Sequence, residues 1–196
     1  MNNSYSIILA CGSRGELGYN QQLLWNLPKD MARFVRLTKG SNVIMGRNTY
    51  LSLPRNLPAL PGRTNIVLTS KPEEVLREYE SRLLIWNKAH PKLMCVSTIE
   101  EAGELCNDKT INPDRYDMES FIIGGGTLYN NVLERGLVHR IYRTMVHHQF
   151  NEADTFVKHL DYGSLGFIPK EVEHISSDVN NVYFMTFEKW ERINKG

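Results

Sequence analysis

SFIIGGGTLYNNVLERG, residues 120–136, decides the fold. Phe121, Ile122 and Ile123 form a short apolar run suited to a buried strand, the glycines that follow allow a tight turn, and GTLYNNVLERG (126–136) is a helix candidate. Strand, turn and helix make half of a βαβ unit. Outward from this stretch the same alternation recurs. YSIILAC (5–11), NVIMG (42–46), TNIVLTS (64–70), RLLIW (82–86), LMCVS (93–97) and HRIYRTMV (139–146) are the other strand candidates. PKDMARFVRLTK, PEEVLREYES and STIEEAGELC are helix candidates between them. The tail departs from the pattern: VEHISSD and NNVYFMTFEKW alternate around Asp178, Val179 and Asn180, as a terminal hairpin does. The expected fold is α/β, one domain over 1–196, with a mostly parallel central sheet, flanking helices and a C-terminal antiparallel hairpin. The polar stretch NDKTINPDRYDME (107–119) reads as a surface loop.

Composition narrows the function classes. A chain of 196 residues, 41% hydrophobic and 23% charged, is ordinary for a soluble globular domain with a full core. Lys and Arg number 23 against 22 for Asp and Glu, so no basic excess tracks a phosphate backbone and nucleic acid is not the expected partner. Cys11, Cys95 and Cys106 are odd in number and widely spaced, which fits reduced thiols and a cytoplasmic protein. The apolar run in MNNSYSIILAC is far too short to span a membrane. Neither CxxC nor HExxH occurs, so no metal is expected. No apolar surface stripe is left unassigned, and a monomer is expected.

LLWNLPKDMARF (23–34) carries the first chemical candidate. Asn26 can cap a helix, Pro28 suits its first turn, Gly40 can end it, and Leu27, Met31, Phe34 and Val35 form an apolar stripe. Asp30, Phe34 and Leu37 fall at i, i+4 and i+7, so one side of the helix carries a carboxylate among apolar residues. An acid in a first turn is also what the helix dipole favours. Trp25 before it and Phe34 one turn on would enclose it, and an enclosed acid is a site candidate.

Two glycine turns follow strands and precede helices: Gly46-Arg47-Asn48-Thr49 and Gly124-Gly125-Gly126-Thr127. Both can aim backbone N–H groups at phosphate, though tight packing explains such glycines as often. Two of them suit a dinucleotide. Arg47, Ser70 and Lys71 could grip an additional phosphate, or be solvated loop residues; Arg63, in PGRT, could clamp a carboxylate or be a surface turn arginine.

In LGYNQQLLWNLPKDMARF, VIMGRNTYLSLP, LPGRTNIVLTS, FIIGGGTLY, IYRTMV and EADTFV, followed by the final hairpin, the chain resembles the dihydrofolate reductase family across nearly its whole length. The resemblance implies NADPH-dependent reduction of 7,8-dihydrofolate to tetrahydrofolate, in support of one-carbon and thymidylate metabolism. It implies a catalytic group of Asp30, Trp25, Leu23 and Thr144, with Asp30 on the amino-pyrimidine edge of the pterin and Thr144 bonded behind it. The substrate cleft would draw on Ile8, Ala10, Met31, Phe34, Leu53, Leu60, Ile123 and Tyr129, and Arg63 would take the carboxylate of the glutamate tail. The cofactor segments would be Ala10, Leu17 and Gly18; Gly46, Arg47, Asn48 and Thr49; Leu68, Thr69, Ser70 and Lys71; and Ile123, Gly124, Gly125, Gly126, Thr127, Leu128 and Tyr129. A cis peptide between Gly124 and Gly125 is also implied.

Three features depart from the family pattern: Leu24 replaces the usual proline before Trp25, Asn48 stands at a position basic in many members, and the region 71–119 is long. Asp30 cannot reach the ring nitrogen that is protonated, so its expected role is to orient the pterin while water delivers the proton. Desolvation should raise its pKa above about 3.9, with donor contacts opposing. The reductases of riboflavin synthesis look similar around the cofactor turns but lack the WNLPKD element; a non-catalytic nucleotide-binding protein is the other alternative.

Overall fold

The computed structural model describes residues 5–108, 110 and 119–193. The elements in chain order begin with β1 (Tyr5–Cys11), β2 (Glu16–Tyr19), β3 (Gln22–Leu23), α1 (Pro28–Thr38), β4 (Asn42–Gly46) and α2 (Arg47–Leu51). There follow β5 (Thr64–Leu68), α3 (Pro72–Leu83), β6 (Lys92–Val96), α4 (Ile99–Asn107), β7 (Ser120–Gly124) and α5 (Gly126–Glu134). The chain closes with β8 (Val138–Val146), β9 (Thr155–Phe156), β10 (Phe167–Ile175) and β11 (Met185–Arg192). No described helix is long and apolar enough to cross a membrane. Most of the polar stretch read as a surface loop at 107–119 lies outside the described residues. Backbone contacts divide the chain into two compact units.

The unit Thr38–Gly125 is built on four parallel strands in the order β7-β4-β5-β6. Parallel strands are covered on both faces, which is why their sequences are continuous rather than alternating. Val43, Ile44, Met45, Ile66, Val67 and Ile122 are fully buried. One expectation fails here. RLLIW (82–86) is not a strand: Arg82 and Leu83 finish α3, and Leu84 and Ile85 are exposed in a turn. The cause is tertiary, because the buried Arg82 guanidinium donates to Leu51 O and Leu57 O and stacks on Tyr50, holding the helix through to its end.

The unit formed by Asn2–Leu37 and Gly126–Gly196 orders its strands β10-β11-β8-β1. β1 and β8 are parallel, whereas β8, β11 and β10 are antiparallel, as the alternating tail sequence implied. The turn between β10 and β11 is wider than a tight hairpin, with the Asp178 carboxylate accepting from the N–H groups of Asn180 and Asn181. A small sheet, β3-β2-β9, has no clear signal in the sequence, since two of its strands are two residues long.

Candidate functional site

α1 carries Asp30 in its first turn, where Lys29 N–H donates to the buried Asn181 side chain at 3.0 Å. The helix start is therefore secured by a residue remote in sequence. The Thr144 hydroxyl, on β8 and buried, donates to Asp30 Oδ1 at 2.7 Å. Burial pushes the Asp30 carboxyl above its ordinary value, while the Thr144 hydrogen bond and the Arg33 charge pull the other way. Asp30, Phe34 and Leu37 are all half-buried, in agreement with their helical spacing.

The apolar stripe is different from the one expected. Met31 and Val35 are 48% and 45% exposed, and the most deeply buried side chains of α1 are Arg33 and Thr38. Those two were hidden from a search for apolar periodicity because both are polar. Trp25 packs on Phe150 with ring centroids 5.0 Å apart, in a cluster with Leu27, Val146 and Met185 against which Ala10 and Leu24 pack. Its indole Nε1 is buried and has no acceptor among the described residues. Leu23, on β3, is exposed. Tyr129 donates its phenolic hydrogen to Ile8 O at 2.8 Å, and burial raises its pKa, so it braces β1 and is not an acid at neutral pH.

Around β2, Leu17 and Gly18 are buried. A Cβ built on Gly126 would lie 2.8 Å from Phe156 O and 3.4 Å from Leu17 Cδ1, so only glycine starts α5 this close to the β9 backbone. Thr127 and Leu128 continue the first turn, whose N–H groups have no partner within the helix. The loop leading into β2 is held by the fully buried Glu16, which accepts from Arg14 N and Nε at 2.7 and 2.8 Å and from Phe150 N at 3.1 Å. Asn20 N–H donates to Asp154 at 2.8 Å, and Asp154 N–H donates to Gly18 O.

In the unit Thr38–Gly125, the Gly124–Gly125 peptide is cis, and a Cβ on Gly46 would lie 3.9 Å from both Gly124 O and Gly125 N. Thr49 Oγ1 would be 3.2 Å from a Cβ on Gly125. These turns meet, with half-buried Ile123 beside them in the chain. At the end of β5, beyond Leu68, Thr69 Oγ1 accepts from Lys71 N–H, and Ser70 and Asn48 are exposed. Arg47 and Lys71 converge on one carboxylate: Arg47 Nη1 is 2.6 Å and Lys71 Nζ 3.0 Å from Glu74. The Lys71 hydrogen bond and the Arg47 charge keep Glu74 below the usual carboxylate range.

Glu74 was missed because it lies on α3, outside both of the cation-bearing turns, yet the first turn of a helix after Ser70-Lys71-Pro72 brings it back to them. Arg63 is a buried residue, not a surface turn cation. Its Nε donates to Thr38 Oγ1 and its Nη1 to Pro61 O, each at 2.8 Å, which fixes the plane of the guanidinium. Leu60 is buried and its backbone N–H and C=O both bond the Asn65 side chain; Leu53 is half-buried.

Comparison with known proteins gives one consistent family. The model of the family described as dihydrofolate reductase matches residues 4–192. A dihydrofolate reductase of Bacillus subtilis is 30% identical over 189 residues, covering 96% of this chain and 95% of that one. Dihydrofolate reductase type 3 of Salmonella typhimurium is 31% identical over 182 residues, with 93% and 94% covered. Among solved structures, dihydrofolate reductase from Enterococcus faecalis, complexed with NADP(H) and RAB-propyl, superimposes with a TM-score of 0.72 at 25% identity, covering 99% of each chain.

Proposed function

The chain belongs to the dihydrofolate reductase family, and we propose that it is a monomeric cytoplasmic enzyme that reduces 7,8-dihydrofolate to tetrahydrofolate with NADPH. The observation that carries this reading is the half-buried Asp30 with Thr144 as its donor. A carboxylate so placed pairs with the N–H donors of an amino-pyrimidine edge by charge-assisted hydrogen bonds and fixes the ring's orientation. Across the ring, Asp30 does not touch the nitrogen that takes the proton; by keeping its charge it favours the protonated pterin, and the proton comes from water. The buried Trp25 Nε1 is a donor suited to hold such a water.

The donor set fits a phosphorylated dinucleotide. Gly126 has no room for a Cβ, the Gly46 and Gly124-Gly125 turns lie together, and Arg47 and Lys71 already share an anionic partner. When bound, the nicotinamide supplies the hydride. In the unit Thr38–Gly125, Arg47, Lys71, Thr69 and Ser70 would hold a 2′-phosphate; in the other unit, the N–H groups of the first turn of α5 suit a phosphate. Three free cysteines suit the reducing cytoplasm.

Loss of NADPH absorbance on adding dihydrofolate tests the reading directly; no loss with the purified chain overturns it. A diaminopyrimidine antifolate should bind tightly through a bidentate pair with Asp30, and titration calorimetry should find that affinity much reduced in Asp30→Asn. Arg63→Leu should raise the KM for dihydrofolate and spare a pterin without a glutamate tail. Equal effects on both substrates would make Arg63 a purely structural link to Thr38.

A further inference from the structure

Arg33 is the unexplained residue of α1. An arginine is seldom buried without a dedicated partner, yet this one is 8% exposed and, among the described residues, its hydrogen bonds do not include a carboxylate. Its Nη1 lies 3.3 Å from both Arg143 O and Thr144 Oγ1, and Nη2 donates to Glu188 O at 2.9 Å. The guanidinium also stacks 4.7 Å from the Phe187 ring centroid. Two of these acceptors are backbone carbonyls, which tie α1 to β8 and β11. The third is the hydroxyl that serves Asp30.

A threonine hydroxyl has one hydrogen to give and lone pairs to receive with, whereas a guanidinium only donates. Arg33 therefore occupies a lone pair of Thr144 Oγ1 and cannot take its hydrogen, which goes to Asp30 Oδ1 at 2.7 Å. We propose that Arg33 is a positioning residue for the reduction reaction: it fixes the Thr144 hydroxyl as a donor to Asp30 and places a positive charge one hydroxyl away from that carboxyl. The proposal rests on the role given to Asp30 above.

The surroundings leave this cation with few rivals. Arg36 lies on the same helix, Tyr142 and Arg143 on β8, Glu188 on β11, and Glu171 and Glu173 on β10. The Arg143 side chain is spent on Glu188 at 2.7 Å, and Glu171 is paired with Lys189. Tyr129, on α5, is a neutral phenol. Arg33 is the one cation hydrogen-bonded to the group that touches Asp30, among the described residues.

The test is Arg33→Met, which keeps length and apolar stem but removes charge and donors, beside Arg33→Lys, which restores the charge. In the free protein the Asp30 carboxyl, followed by carbon-13 NMR, should titrate about one pH unit higher in Arg33→Met, in line with a lost neighbouring cation, and less than that in Arg33→Lys. The pH midpoint of hydride transfer should move up in the same order. Midpoints that stay put while kcat falls would overturn the proposal and leave Arg33 a structural tie. If Arg33→Met does not fold, Arg33→Gln, which keeps a donor without charge, must give the same upward midpoint or the proposal fails. The reading of Asp30 fails separately, if wild-type protein does not reduce dihydrofolate whatever the NMR titration gives.

Discussion

Asp30→Asn is expected to lose about 100-fold or more in hydride transfer at neutral pH, the size typical of general acid–base roles. Folding and NADPH affinity should remain near wild type, because Asn keeps the volume of Asp and its carbonyl oxygen can still accept from Thr144. The loss should shrink as pH falls, since an asparagine site no longer favours protonated substrate and must rely on acid from solvent. Stopped-flow rates across pH, with NADPH saturating, check this. Rates like those of wild type at neutral pH would remove Asp30 from the mechanism.

Arg47→Ala is the second large effect expected. A charge-assisted contact contributes roughly 1.5–3 kcal/mol, so the preference for NADPH over NADH should fall by about 10–100-fold, mainly through the KM for NADPH. NADH kinetics should barely change. Glu74 sharpens the prediction, because it already sits on Arg47 and Lys71 and would have to give way to a 2′-phosphate. Glu74→Gln should therefore tighten NADPH and leave NADH alone. Equal losses with both cofactors in Arg47→Ala would mean that the arginine holds its turn and does not read the phosphate.

What the sequence disclosed depended on the range of the interaction. Strands such as NVIMG and YSIILAC were legible to the residue, because burial on both faces leaves an unbroken β-branched run. Asp30 was legible through its spacing with Phe34 and Leu37, and Thr144 through the family resemblance. RLLIW misled because local propensity cannot register Arg82 bonding back to Leu51 and Leu57. Arg33, Glu74 and Asn181 were missed for the same reason: each acts on a partner that only the fold brings near. Arg63 was read only as a clamp or a surface charge, whereas burial against Thr38 fixes its orientation.

Leu24, where the family usually has proline, raises the matter of how the segment ahead of Trp25 keeps its shape. Proline restricts a chain through a ring that no solvent condition alters. Here the restriction comes instead from two carboxylates, Glu16 gripping Arg14 and Phe150, and Asp154 gripping Asn20. Burial acts to raise Glu16, but its Arg14 and backbone donors outweigh that and hold it below the usual carboxylate range; the Asn20 N–H and Thr155 hydroxyl lower Asp154. Depressed acids of this kind contribute their stability above the ordinary carboxylate range and lose it as pH falls through the lowered values. The segment thus has an acid-labile fastening in place of a permanent one. On acidification, amide protection at 12–20, measured against the intrinsic exchange rate at each pH, should fall before that of β1 and β8, a local melting that a proline-bearing relative without these two carboxylate contacts would not share.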